Sequence, residues 1–76
     1  MSRYFFDTFN GSAHVTDETG AELDDMQAVR REASTALAEM AAEVVPIEDR
    51  LELFVDVRDE AGAPVLKARA IFEMFE

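Results

Sequence analysis

The residues able to do chemistry are few, and their spacing suits it poorly. His14 is the sole histidine, and there is no cysteine. Nucleophile–base pairs and transition-metal clusters need several such side chains, so the material for them is lacking. A tight turn at Asn10-Gly11 would set His14 across from Asp7, the beginning of a charge-relay pair. On an exposed hairpin face the same pair is an ordinary surface contact. The acidic run Asp17, Glu18, Glu22, Asp24 and Asp25 suggests calcium. It lacks the alternating Asp/Asn ligands and the closing Glu of a helix–loop–helix calcium site. It reads instead as a turn followed by a helix start, where carboxylates meet the positive end of the helix dipole. No Gly-rich phosphate loop is present. The sequence assigns no catalytic, cofactor-binding or metal-binding residue, and the expectation is a non-enzymatic protein.

Charge narrows the partners. Seventeen acidic residues against seven basic ones leave a formal net charge of -10 over 76 residues. Nucleic-acid binding depends on Lys and Arg displacing counterions from phosphates, so it is not expected, and neither is an anionic membrane surface. A basic protein partner is compatible with this charge, and so is the simpler role of keeping a small protein in solution. No apolar run approaches membrane-spanning length, and the first residues show no basic region followed by an apolar stretch. The expectation is a cytoplasmic protein. The apolar fraction of 49% is that of a folded domain. One domain of this length gains only ~3–5 kcal/mol from its core, so idealised packing or self-association must support it.

The longest periodic segment is a helix expected over about 25–44. Met26, Val29, Ala33, Leu37, Met40 and Val44 recur in steps of three and four and form one apolar stripe. Asp24 is the expected N-cap, with Gln27 three residues on as a capping-box partner. Pro46 disfavours helical geometry at Val45 and closes the segment. The opposite face is small and polar: Ala28, Arg31, Thr35, Ala38 and Ala42.

Strands are expected at about 3–9, 12–17, 51–58 and 65–75. A two-residue Asn10-Gly11 loop sets Phe6 opposite Val15, Thr8 opposite Ala13, Tyr4 opposite Asp17 and Phe5 opposite Thr16, with Phe6 and Val15 under the helix. Leu51, Leu53, Val55 and Val57 alternate with Glu52, Phe54, Asp56 and Arg58. An even loop at Glu60-Ala61 sets Val55 opposite Leu66, Leu53 opposite Ala68 and Leu51 opposite Ala70. It also pairs Glu52 with Arg69 and Phe54 with Lys67 on the other face. An odd loop would bury Arg69 against Leu53, which is costly. Asp17-Glu18-Thr19-Gly20-Ala21 echoes Asp59-Glu60-Ala61-Gly62-Ala63, and the echo reads as one turn chemistry used twice. The expected fold is α+β: ββαββ, a four-stranded antiparallel sheet of order 2-1-3-4 with one helix on one face.

The face away from the helix carries Phe5, Phe9, Phe54, Ile71 and Phe75. A contiguous aromatic patch on a monomer usually marks a contact surface, so these five residues form the expected interaction surface. The last strand is an edge, apolar and unprotected in its second half.

With those residues placed, the chain resembles an uncharacterised domain-of-unknown-function family of short alphaproteobacterial proteins, common in rhizobia. The matching stretches are Arg3-Tyr4-Phe5-Phe6-Asp7, Asp17 to Leu23, the Ala-rich helix, and Val57 to Val65, with its Arg58-Asp59-Glu60-Ala61-Gly62-Ala63-Pro64-Val65 run. The resemblance implies a bacterial, stand-alone small protein and transfers no site, cofactor or activity. The leading expectation for function is a protein-interaction or regulatory module that self-associates as a homodimer. The alternative is an antitoxin-type or acidic-mimic regulator acting on a basic partner.

Overall fold

The computed structural model describes residues 1–43 and 49–76. In chain order the elements are β1 (Ser2–Phe9), β2 (His14–Val15), β3 (Ala21–Leu23), α1 (Met26–Glu43), β4 (Arg50–Arg58) and β5 (Pro64–Glu73). They form an α+β fold with one helix against an antiparallel sheet. The sheet runs β2-β1-β4-β5, with β3 also paired to β1. The expected order is present, but the sheet has five strands, not four. The expected strand over 12–17 is interrupted, and the chain returns to the same edge of β1 as β3.

The cause of the interruption is Asp17. Its carboxylate accepts from the Phe6 amide at 3.0 Å, so a side chain replaces the missing strand partner. It also accepts from the Thr19 and Gly20 amides, each at 3.0 Å. Gly20 has φ +74°, a left-handed turn that sends the chain back along β1. Tyr4 then faces Ala21, and Arg3 faces Glu22.

Both hairpin registers are shifted by two residues from the expected ones. The first loop spans Asn10 to Ala13, closed by the Asn10 amide donating to the Ala13 carbonyl at 3.2 Å. The Asn10 side chain accepts from the Ser12 and Ala13 amides at 3.1 and 2.9 Å, which stabilises the longer loop over a two-residue turn. Thr8 therefore faces Val15, and Phe9 faces His14. In the second hairpin the loop is Asp59 to Ala63, with Val55 facing Ala68, Leu53 facing Ala70 and Leu51 facing Phe72. This loop is odd. A bulge between Val57 and Arg58 takes up the extra residue, so Arg69 stays off the core face. A shift of two preserves which face each side chain occupies, so the inside and outside assignments survive.

The echoed turns do share their chemistry. Asp59 accepts from the Ala61 and Ala63 amides, as Asp17 does from Thr19 and Gly20.

The helix cap is Asp25, one residue later than expected. Its side chain accepts from the Ala28 amide at 2.8 Å, so Gln27 has no capping-box position. Val29 and Ala33 are buried, and Ala36, Leu37 and Met40 pack against them. Met26 opens the stripe but stays exposed. The expected helix end at Val44 to Pro46 lies outside the described residues.

The core is small. Among the described residues Val29, Ala33, Leu53, Val55 and Val57 are its fully buried members. The helix lies over β4 and β5 rather than the β2 end of the sheet. Val15, expected in the core with Phe6, is consequently 59% exposed, whereas Phe6 packs against the core.

Candidate interaction surface

Strand alternation sends Arg3, Phe5, Asp7 and Phe9 of β1 to the outer face. Glu52, Phe54, Asp56 and Arg58 follow on β4, and Lys67, Arg69, Ile71 and Glu73 on β5. One transverse row runs His14, Phe9, Phe54, Arg69 across four strands. Phe9 stacks on Phe54 with centroids 4.9 Å apart, and His14 lies 4.6 Å from Phe9 on the other side. His14 therefore packs on an aromatic ring and does not face Asp7. No relay pair forms.

The next row sets Asp7 directly opposite Asp56. Two carboxylates in that position repel unless each has its own cation. Asp7 accepts from Arg58 Nε at 2.8 Å, and Asp56 lies 3.8 Å from Lys67. Arg58 also donates to the Asp17 carbonyl at 2.8 Å, and the Asp17 amide donates to Asp7 at 2.9 Å. The Arg58 hydrogen bond is the main cause holding the Asp7 carboxyl below its ordinary pKa, against partial burial. At Asp17, burial pushes upward, but the Gly20, Phe6 and Thr19 amides outweigh it and the net shift is downward. The same Asp7 contact raises the Arg58 pKa. All four carboxylate oxygens of Asp7 and Asp17 accept hydrogen bonds. Groups held ionised in this way fasten strands together and offer neither a poised base nor a free nucleophile.

The five expected contact residues are not one patch. Phe9 and Phe54 are together. Phe5 lies under the Arg58 guanidinium, 4.6 Å from its centroid, and Asp7 separates it from Phe9. Lys67 covers Phe54 at 4.5 Å, and Arg69 reaches Glu52 at 3.6 Å. Both contacts are those expected from the sequence, but they are diagonal, because Phe54 directly faces Arg69 and Glu52 faces Ile71. The aromatic rings are thus half covered by cations. Ile71 and Phe75 remain open, at 42% and 87% exposure, and Met74 joins them at 51%. Ile71 lies near the end of β5, which stops at Glu73 rather than at the expected 75, and Met74 and Phe75 follow just beyond it.

Among the described residues that strand also has a free side, since β5 is terminal in the sheet. The Met74 amide donates to the Asp49 carbonyl at 2.8 Å. Backbone groups alternate along an antiparallel strand, so Leu66, Ala68, Ala70 and Phe72 direct theirs to β4. Lys67, Arg69, Ile71 and Glu73 direct theirs outward. Among the described residues nothing pairs with them. The expected strand order 2-1-3-4 pointed to this edge. It did not signal Met74, which the sequence places on the helix side, or the Asp7–Arg58–Asp17 network, which depends on a turn closing over β1.

Among the described residues, no three His, Asp or Glu side chains converge to hold a metal, and no helix is long and apolar enough to cross a membrane. A cleft between Ser2–Tyr4 and the Asp59–Ala61 turn contains Glu60, whose carboxylate accepts from the Arg3 amide at 3.1 Å. The chain belongs to the family described as Domain of unknown function (DUF6894), whose model matches residues 3–71. No curated protein and no solved structure matches it.

Proposed function

We propose that this protein is a non-enzymatic interaction module whose partner is a second copy of itself. The observation that carries the reading is the free side of β5, a strand of ten residues bordered by exposed Ile71, Met74 and Phe75. An unpaired edge with apolar neighbours is a template for another strand, and native edges are normally blunted. Here Pro64 stands only at the entry, and Lys67 and Arg69 guard only the first half. A copy paired in antiparallel fashion closes the edge in a two-fold dimer and ends further growth there.

Shape supports the reading. The chain exposes 5407 Å² for a mass of 8.5 kDa. A compact monomer of that mass exposes roughly 4,650 Å². The chain is thus more open than a compact monomer by an area on the order of 750 Å². The radius of gyration is 13.2 Å, against roughly 11.4 Å for a compact chain of this length.

Sedimentation equilibrium tests the reading. The parent should be dimeric in the micromolar range, and Ile71→Lys should shift it toward monomer. A parent that stays monomeric at high micromolar concentration refutes self-association.

A further inference from the structure

The register of the dimer can be read from β5, on the premise of the self-association proposed above. A two-fold axis normal to the sheet keeps like faces together, so odd residues meet odd and even meet even. An axis that covers the apolar second half of the strand falls at one of the residues from Arg69 to Glu73. At Arg69 it sets two guanidinium groups against each other, and at Glu73 two carboxylates; like charges in that position are destabilising. At Ala70 it sets Ile71 against the second copy's Arg69. At Phe72 it sets Ile71 against the second copy's Glu73. Both leave Ile71, the apolar side chain nearest the axis, against a charge.

We infer that two copies join through β5 about an axis at Ile71. Ile71 then meets its own copy. Arg69 meets the second copy's Glu73, and by symmetry this pair occurs twice. Glu73 has no ion-pair partner within the chain among the described residues, so the second copy supplies one. Lys67 meets the second copy's Phe75, as it already meets Phe54 within its own chain. On the helix side, Ala70 meets Phe72 and Ala68 meets Met74, small against large. One register thus covers the three exposed apolar side chains at this end, Ile71, Met74 and Phe75. The two sheets become one continuous sheet, with both helices on the same face.

The absence of cysteine makes the register directly testable. Facing Cα atoms in a hydrogen-bonded antiparallel pair are about 5.5 Å apart, within disulfide reach. Under mild oxidation Ile71→Cys should form a covalent dimer by itself. Arg69→Cys and Glu73→Cys should each fail alone, because four residues of offset separate like positions by roughly 14 Å. Mixed together, they should cross-link. In a second experiment Glu73→Arg should weaken the dimer roughly tenfold, and Glu73→Arg with Arg69→Glu should restore it. Circular dichroism on each variant checks that it is folded. Cross-linking of Arg69→Cys with Ile71→Cys, but not of Ile71→Cys alone, moves the axis to Ala70 and overturns the inference. A parent that sediments as a dimer while none of these pairs cross-links overturns the register and leaves self-association standing. A monomeric parent removes the premise itself.

Discussion

Replacing Asp17 with alanine should loosen the whole β1 edge, although Asp17 belongs to no strand. Its carboxylate accepts from three amides: Phe6 and Gly20, both partly buried, and Thr19, which is exposed. Thr19 can turn to water, at a cost of about 0.5 kcal/mol, while the other two lose about 1 kcal/mol each and more if left unsatisfied. The expected loss is ~2–4 kcal/mol, most of the ~3–5 kcal/mol that a core this small supplies. Asp17→Asn keeps one acceptor oxygen but turns an NH₂ group toward one of the donors, so it should fall between, at about 1–2 kcal/mol. Acid separates the contributions further. The Asp7 and Asp17 carboxyls both titrate below their ordinary value in the folded chain. Their stabilisation is complete above the unfolded carboxylate pKa of about 3.9 and is lost as the pH falls through the folded values. Below about pH 4 the parent should therefore lose stability faster than Asp17→Ala does. Urea unfolding followed by circular dichroism, at one fixed concentration because dimerisation moves the midpoint, measures all of this. An Asp17→Ala variant within about 0.5 kcal/mol of the parent would refute the role given to this side chain.

Glycine substitutions should rank by their surroundings. At Gly20 an added Cβ would lie 2.9 Å from Phe5 Cε2 and 3.0 Å from the Tyr4 carbonyl oxygen, whereas Gly62, at φ +84°, has nothing within 4 Å. Gly62→Ala should cost only the backbone term of ~1–2 kcal/mol, and Gly20→Ala distinctly more; thermal melts giving the reverse order would contradict the β3 turn geometry. In the core, Leu53→Ala at a fully buried site should cost ~2–5 kcal/mol and Leu37→Ala, half-buried on the helix, should sit near 2 kcal/mol or below. Equal losses in chemical denaturation would mean that the helix is seated differently.

Much of this arrangement was legible because period and face are local properties. The alternation of Leu51, Leu53, Val55 and Val57 named the buried side of β4, and the steps from Val29 to Met40 named the buried side of α1. Register was less legible because loop length depends on which side chain captures which amide. Asn10 and Asp59 each capture two amides and lengthen the loop beyond two residues. The outer sheet face was half legible for a related reason. Alternation put five apolar side chains outside, but not the guanidinium and ammonium groups that reach diagonally over Phe5 and Phe54. That coverage moves the open apolar surface from the middle of the sheet to the end of β5. The fifth strand was hidden in a turn signal, since Asp17 and Gly20 mark a reversal without showing that the chain returns to β1.

Amide hydrogen exchange along β5, followed by NMR as a function of protein concentration, tests pairing of this strand with its copy most directly. The amides of Ala68, Ala70 and Phe72 point to β4 and should be protected at every concentration. Those of Arg69, Ile71 and Glu73 point outward and should gain protection only as the dimer forms, giving an alternating pattern that fades on dilution. Outward amides that exchange freely at millimolar concentration, beside protected neighbours, would contradict strand pairing.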